Sequence, residues 1–484
     1  MTCNNEKGYP IRLFPIERIL IMNSNPNQQQ TVPSVASVSG PGTFSHGVHP
    51  PERKELAENV AIEILPPPEK VVLPLLQHIG APCAPVVKPK QEVVLGDLVA
   101  KGEGFVTTSV HSPVTGVVQK MEVTTLSNGR HLQAVVIRAQ GEQLSGRDLW
   151  DALYGGPWPA DACMSVKPED ITAAIRNSGI VGLGGAAFPT HVKFTPNEKK
   201  PIHTMVVNGC ECEPYLTTDY RLMLEAPGAI IAGALLKARA INAKQTIIGI
   251  EDNKPQAIVA MKQAAEGTGV KIVVLKTKYP QGSEKQLIKA ALNLSVPLGG
   301  LPGDVGVAVS NVATAAATAM AVLRGRPLTH RVVCVTGGGI VNPKNLLVPL
   351  GISMGEVLAY CGGLRPDAAR IVAGGPMMGF AFTDPATPVT KGTSGITVLT
   401  REELSDAKTT TCVRCGRCVD VCPMNLVPTK IAAASRHKNL GLARRYSILA
   451  CFECGSCVYI CPAGLPLVQN IRTGKALLAA EAKK

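Results

Sequence analysis

The cysteines carry the clearest chemistry in the chain. Cys412, Cys415, Cys418 and Cys422 are spaced C-x2-C-x2-C-x3-C with Pro423 next, and Cys451, Cys454, Cys457 and Cys461 repeat that spacing with Pro462 next. These two runs use eight of the 15 cysteines. A CxxCxxC turn gathers three thiolates around one corner of an iron–sulfur cubane, and the fourth cysteine followed by proline completes a [4Fe–4S] ligand run. Structural zinc takes four ligands and usually comes as paired CxxC units, unlike two complete runs each closed by Cys-Pro. Disulfides fit worse: no secretory apolar region precedes the chain, and cysteines so spaced in a reducing compartment read as metal ligands. The reading is two [4Fe–4S] clusters, each of which moves single electrons.

The fourth thiolate of such a run faces away from the first three, and in two-cluster ferredoxins it ligates the other cluster. Carried over to this chain, cluster one takes Cys412, Cys415, Cys418 and Cys461, and cluster two takes Cys451, Cys454, Cys457 and Cys422. Residues 430–448 between the runs are rich in Ala, Leu, Arg and Lys and are expected to be helical, making a module longer than a minimal ferredoxin.

A second candidate is the loop Gly182-Leu183-Gly184-Gly185-Ala186-Ala187-Phe188-Pro189-Thr190-His191-Val192-Lys193. It follows an expected helix rather than a strand, so it matches the usual dinucleotide fingerprint poorly. Its small residues still allow backbone N–H groups close to a phosphate or a ring, and Lys193 would supply the counter-charge. Taken alone it is equally a tight turn.

These residues need elements to position them. Residues 1–45 are rich in Asn, Gln, Ser, Pro and Gly and are expected to be disordered. From Ile62 the chain reads as short strands and turns, including Val93-Val94-Leu95-Gly96-Asp97-Leu98-Val99 and Ser112-Pro113-Val114-Thr115-Gly116-Val117-Val118. This resembles the barrel-sandwich fold of biotinyl and lipoyl carriers, but no lysine lies between Lys101 and Lys120 to serve as a swinging arm. From Asp148 to about Leu323 short apolar runs at Met205–Asn208, Thr246–Ile250 and Lys271–Leu275 alternate with helical stretches such as Pro255–Glu266. That alternation predicts a parallel sheet with helices on both faces. Residues 332–379 return to short strands and Gly-rich turns, with one helix expected near Met354–Tyr360.

Composition narrows the function. A chain of 484 residues should form three or four domains with ample core. A net charge of +13 invites a nucleic-acid reading, but aromatics are 4% of the chain and no recognised binding module is present, so nucleic acid is not expected. The apolar runs Val305–Val309 and Ala315–Val322 are too short or too interrupted to span a bilayer, so no transmembrane segment is expected. The cationic excess suits an acidic partner or an anionic leaflet, and charge alone does not choose between them.

The chain resembles the C subunit of the Rnf ion-translocating electron-transport complex over about residues 45–475, and its middle resembles the flavin- and NADH-binding subunit of respiratory complex I. Four ordered elements carry the second likeness. The glycine loop matches at Gly182, Gly184, Gly185, Phe188, Pro189 and Lys193, and the acidic segment at Asn208, Glu211, Glu213 and Pro214. The third element is Tyr279-Pro280-Gln281-Gly282-Ser283-Glu284-Lys285-Gln286, and the fourth is Ser310-Asn311-Val312-Ala313-Thr314. Gly47-Val48-His49-Pro50-Pro51 looks like the opening motif of the Rnf protein, and Val348-Pro349-Leu350-Gly351 with Cys361-Gly362-Gly363 resembles a β-grasp domain.

The resemblance implies FMN and NAD(H) as cofactors, contacted by Gly182, Gly184, Gly185, Phe188, Lys193, Asn208, Glu211, Glu213, Glu284, Asn311 and Thr314. Phe188 would stack on nicotinamide or adenine, Lys193 would meet flavin phosphate or ring, and the Glu211 and Glu213 carboxylates would accept from ribose or carboxamide. A flavin takes the two electrons of a hydride and passes them on singly, which explains why both halves share one chain. Three departures weaken the NADH expectation more than the flavin one. Cys210 stands where the complex I protein has Asp, Cys212 where it has Ser, and Ala187 where it has Gly.

The expected architecture is multidomain α/β: a disordered extension over 1–45, a barrel-sandwich module over 46–147 and a Rossmann-like FMN/NADH domain over 148–328. A β-grasp domain over 329–400 and a helical two-cluster ferredoxin-like domain over 401–484 complete it. The implied function is electron input, between NADH and the clusters, for a membrane-bound Rnf complex coupling ferredoxin to ion transport. The alternatives are a soluble flavin and Fe–S reductase of the cobalamin-reductase type and a non-catalytic electron relay. The implied location is peripheral, on the cytoplasmic side of the inner membrane, held by the other subunits. The basic stretch Arg436, His437, Lys438, Arg444 and Arg445 would face an acidic partner or lipid headgroups. Cys422→Ser should damage the cluster held mainly by Cys451, Cys454 and Cys457; if electron paramagnetic resonance shows loss of only the cluster of its own run, the interleaving is wrong.

Overall fold

The computed structural model describes residue 38 and residues 40–405 and 408–482. The expectation of disorder over 1–45 falls mostly outside these residues, but its last part belongs to the fold. The Gly40 and Gly42 N–H groups donate to the Ala291 and Ala290 carbonyls at 3.2 and 2.9 Å, and Phe44 is buried with the Lys278 ammonium 4.8 Å from its ring centre. Polar, glycine-rich composition predicts disorder only while a segment lacks a surface to pair with, and here the helix Glu284–Leu292 offers one.

Apolar side chains at consecutive strand positions require cover on both faces of a sheet. The strands Lys271–Leu275, Gln245–Glu251, Thr204–Asn208 and Val307–Asn311 lie in that spatial order and pair in parallel throughout, as the alternation of elements predicts. Met205, Val207, Ile248 and Ile250 pack with the helices Pro227–Ala240 and Val312–Arg324, while Val206, Ile247 and Val309 pack with Glu284–Leu292 on the opposite face. The first two helices approach so closely that a Cβ on Gly233 would sit 1.8 Å from the Ala315 carbonyl oxygen.

The N-terminal module holds two small antiparallel sheets. One is built on His131–Ala139 with Lys70–Pro74, Gly116–Val118, Glu92–Val93 and Glu122–Thr125; the other joins Ala84–Pro85, Leu98–Lys101 and Val110–His111. A fourth, six-stranded sheet runs Ile62–Ile64, Lys344–Pro349, His330–Thr336, Gly395–Thr400, Ala368–Ala373, Phe380–Phe382. Its helix, Met354–Tyr360, begins at a capping box in which Ser353 and Glu356 satisfy each other's backbone N–H. Ile62–Ile64, read from sequence as the start of the barrel-sandwich strands, instead pairs in parallel with Lys344–Pro349, and Lys344 is ion-paired to Glu63 at 2.7 Å. Only partners such as Lys344, 281 positions from Glu63 in sequence, give this short strand its place.

Two buried lysines lock the units together. Lys391 donates to the Ser109 and Gly179 carbonyls at 2.5 and 2.7 Å, and Lys54 donates to the Glu211, Glu213 and Leu216 carbonyls at 2.9, 3.0 and 2.5 Å. The stretch 430–448 is helical with a break, forming Pro428–Arg436 and Leu440–Arg445. Among the described residues no helix is long and apolar enough to cross a membrane. Gly233→Ala should destabilise the chain by about 1–3 kcal/mol, because the added methyl forces two packed helices apart; thermal melting within a degree of the unmodified protein would contradict the close approach.

Candidate functional site

The parallel sheet itself marks a crevice. The chain runs outward from Thr204–Asn208 through Gln245–Glu251 to Lys271–Leu275, then crosses back to place Val307–Asn311 on the other side of the first strand. Strand order therefore reverses between the carboxyl ends at Asn208 and Asn311, where open α/β sheets bind ligands. The glycine loop lies over this point. As expected, it follows a helix, Pro168–Asn177, and it closes on itself through Gly182 N–H to Phe188 O (2.8 Å) and Ala187 N–H to Gly182 O (3.1 Å). Leu183 N–H donates to Thr314 Oγ1 at 2.8 Å, and a Cβ on Gly184 would lie 3.3 Å from that of Asn311. The backbone from Gly184 to Ala186 stays exposed. Ala187 has φ 49°, a left-handed conformation that glycine adopts freely and a Cβ resists, which accounts for the glycine found there in the complex I protein.

Most of the residues singled out from the sequence meet here. Lys193 is ion-paired with Glu284 and sits 5.9 Å from the centre of the half-buried Phe188 ring. Asn208 Nδ2 donates to Gly282 O at 2.7 Å, and Gly282 N–H donates to Cys212 Sγ at 3.3 Å. Asn311 caps the helix Val312–Arg324 by accepting from Ala313 and Thr314 N–H, and its Nδ2 donates to Asp219 Oδ2 at 2.6 Å.

The two acidic-segment carboxylates are differently placed. Glu211 accepts from the Asp219 and Tyr220 N–H groups at 2.7 and 3.0 Å and so caps the helix Thr218–Glu225; Glu213 accepts from Met377 and Met378 N–H at 3.2 and 2.8 Å. Both bind protein backbone, where the sequence suggested ligand contacts. Burial raises the Glu213 carboxyl to about 7 against the pull of its two N–H donors. Sequence reasoning missed Asp219, which burial and then the Glu211 charge push upward, and Arg331, which donates to Leu183 O at 3.3 Å. Neither lies in a recognisable spacing.

Each cysteine run makes the same turn. Arg414 and Glu453, two residues after the first cysteine, have φ 56° and 66°, and Gly416 and Gly455 have φ 81° and 84°. A short helix follows in each, Arg417–Asp420 and Ser456–Tyr459. Burial raises the thiols of Cys451, Cys454 and Cys457, with Cys422 among the lesser causes in each case and Cys418 another at Cys457. The first run is tied to the end of the second by Thr410 N–H to Ala463 O (3.0 Å) and Thr409 Oγ1 to Gly464 O (3.1 Å). Cys412 and Cys415 are exposed, whereas Cys418, Cys422 and Cys457 are buried. The basic residues Arg436, His437, Lys438, Arg444 and Arg445 are exposed around the break between the two helices, with Arg444 paired to Glu481 at 2.6 Å. A cavity of about 250 Å3 beside Leu95, Leu149 and Pro327 lies apart from both centres.

The residues fit the two kinds of group. Exposed glycine backbone, a lysine and a half-buried aromatic at a strand-order reversal suit a phosphate-bearing ring cofactor, and eight thiols without disulfide partners in ferredoxin-type turns suit two cubanes. Gln281, fully buried between the two centres, has neither amide atom partnered within the protein. The raised Glu213 predicts a pH signature. Its contribution to stability is fully present below about pH 4.5 and falls by up to about 3 kcal/mol as pH rises through 7. Thermal melting from pH 5 to 8 should show that slope in the unmodified chain and lose it in Glu213→Gln; identical slopes would mean that the carboxyl is not perturbed.

Comparison with known proteins agrees with this architecture. Residues 42–142 match the RnfC barrel sandwich hybrid domain, 175–320 the Nuo51 FMN-binding domain, 332–381 the SLBB domain and 411–465 the 4Fe-4S dicluster domain. The C subunit of the proton-translocating ferredoxin:NAD(+) oxidoreductase complex of Clostridium ljungdahlii is 44% identical over 81% of this chain and 84% of its own length. The C subunit of the ion-translocating oxidoreductase complex of Rhodobacter capsulatus is 43% identical over 93% and 86%. The C subunit of the Na(+)-translocating ferredoxin:NAD(+) oxidoreductase complex of Acetobacterium woodii is 40% identical over 92% and 98%. A chain that is 40–44% identical to these relatives over 81–93% of its length belongs to the family of C subunits of the ion-translocating Rnf oxidoreductase complex.

Proposed function

We propose that this chain is the electron-transfer C subunit of an ion-translocating ferredoxin:NAD oxidoreductase complex, passing electrons between NADH and two [4Fe–4S] clusters through FMN. The observation that carries the reading is the union, in one compact unit, of a glycine-roofed crevice at a strand-order reversal with two ferredoxin-type cysteine runs. A flavin bound there supplies the change from two-electron to one-electron chemistry.

The chain's own residues divide the work. The exposed backbone of Gly184, Gly185 and Ala186, with Gly182 closing the loop, offers N–H donors to phosphate, and Lys193 brings the positive charge, held in place by Glu284. Phe188 presents a ring face for stacking. Asn208, Asn311 and Thr314 fix the loop and the strand ends that shape the crevice. Glu211 and Glu213 act by holding backbone, one a helix start and the other the Met377-Met378 turn. Cys412, Cys415, Cys418 and Cys461 hold one cluster, and Cys422, Cys451, Cys454 and Cys457 hold the other, a division supported by the bonds that tie Thr409 and Thr410, ahead of the first run, to Gly464 and Ala463, just after Cys461.

The protein is peripheral and joins the membrane through the other subunits of the complex, on the cytoplasmic side, where NADH is present and thiolates stay reduced. The exposed basic groups Arg436, His437, Lys438 and Arg445 suit an acidic partner or anionic headgroups. Relatives named for protons and for Na(+) are 44% and 40% identical to this chain, which supports an ion selectivity residing in subunits that cross the membrane. Lys193→Ala should lower NADH-driven viologen reduction by at least tenfold while both cluster signals remain, since Lys193 pairs with Glu284 and touches none of the cluster cysteines; wild-type NADH oxidation in that variant would remove the glycine-loop site from the reaction.

A further inference from the structure

The two cysteine sets do not stand alike toward the rest of the chain. Residues 408–417, with Cys412 and Cys415, are exposed throughout. The other set is pressed against the nucleotide-binding unit and the six-stranded sheet. Tyr279, 2% exposed, donates its hydroxyl to the Cys454 carbonyl at 2.6 Å. Gln286 Nε2 donates to Pro423 O at 3.0 Å, and Gly47 N–H donates to Val421 O at 3.0 Å, on either side of Cys422. A Cβ on Gly455 would lie 2.7 Å from Met377 O, in the turn whose N–H groups Glu213 holds. Arg472 continues that contact, pairing with Glu453 at 2.8 Å and stacking 4.7 Å from the Phe380 ring centre.

Tyr279 is also the first residue of the segment that reaches the crevice. Its backbone is fixed by reciprocal bonds with Val48, both 2.9 Å. Three residues on, Gly282 is held by Asn208 and Cys212, and two further on Glu284 pairs with Lys193. Five peptide steps span at most about 20 Å, so one short segment bounds the distance between the residue that touches Cys454 and the residue that positions Lys193. Gln281, with its unpartnered buried amide, lies inside that segment.

We propose that the cluster of Cys422, Cys451, Cys454 and Cys457 is the one that exchanges electrons with the flavin, and that Tyr279 is the positioning residue that fixes it there. The inference rests on the functional reading above. With flavin and clusters bound, NADH would give a hydride that, with one proton from water, reduces the flavin. The two electrons would then leave singly and two protons return to water, with the Cys454 set taking both electrons in turn and passing the first to the solvent-facing Cys412 set. The reverse reaction uses the same order.

The test uses the full chain loaded with flavin and both clusters. Tyr279→Phe removes one O–H and keeps the ring. Iron and sulfide content should match the unmodified chain. In a redox titration followed by electron paramagnetic resonance, the signal that Cys454→Ser abolishes should move to lower potential, by about fivefold in its reduction equilibrium, because a hydrogen-bond donor to the carbonyl of a cluster-holding residue is gone. The signal that Cys412→Ser abolishes should stay in place. In stopped flow, the cluster that survives in Cys454→Ser should be reduced by NADH at least tenfold more slowly, although NADH still bleaches the flavin. Reduction of that cluster at the unmodified rate, or a Tyr279→Phe shift confined to the Cys412 signal or absent from both, overturns the proposal. If Cys454→Ser loses both signals, the Tyr279→Phe titration decides alone, read against the Cys412→Ser spectrum. Failure of the unmodified chain to bind flavin or to bleach it with NADH is a different result: it removes the functional reading, and the proposal falls with it.

Discussion

The acidic segment from Glu211 to Leu216 depends on one buried ammonium. Lys54 gathers the carbonyls of Glu211, Glu213 and Leu216, three acceptors that no secondary structure satisfies, and it does so while Glu211 and Tyr215 hold left-handed backbone conformations. Burial lowers the Lys54 pKa, with the Glu211 charge opposing that effect. An unpaired ammonium in that place would be costly, and so would three orphaned carbonyls, so each side requires the other. Everything attached to the segment inherits the arrangement: Glu211 starts a helix, Asp219 in that helix meets Asn311 at the crevice, and Glu213 grips the turn on which the second cysteine run rests.

Buried charge is concentrated around the strand ends. Glu251 and Lys254 form an ion pair at 3.1 Å with both side chains almost fully buried, and Lys237 donates to Ser310 Oγ at 2.5 Å just before Asn311. Burial drives the Glu251 carboxyl up, and drives Lys237 well down. Such pairs add little net stability, because desolvation offsets most of their attraction, but they penalise any arrangement that separates them. They therefore act to fix geometry at the crevice, where a loop of glycines and alanines has few side chains to hold it.

The structure also explains the departures from the complex I pattern. Cys210 is fully buried, where burial raises its thiol well above the ordinary range, and packs with Val206 and Ile247; Cys212 accepts the Gly282 N–H. Cys210 thus serves the protein interior, and Cys212 the Gly282 turn. Replacing an Asp and a Ser by thiols changes what holds the Gly282 turn, while Asn208 keeps its own bond to that turn.

Local chemistry determined a good deal by itself. Eight cysteines at ferredoxin spacing announce cubane ligation because the turn that gathers three thiolates is built from adjacent residues. Apolar runs such as Met205-Val206-Val207 announce a sheet covered on both faces, and their alternation with helices announces that it is parallel. The exposure of the Gly184–Ala186 backbone was legible from its small residues. What the sequence did not contain was any partner chosen across more than a hundred positions. That Ile62–Ile64 completes a sheet near Lys344, that Lys54 serves the acidic segment, that Glu213 binds the Met377-Met378 backbone, and that Tyr279 reaches Cys454 follow only when the units close on one another. The reason is physical: a spacing fixes geometry over a few residues, whereas a buried donor takes whichever acceptor the packed chain brings within hydrogen-bond reach.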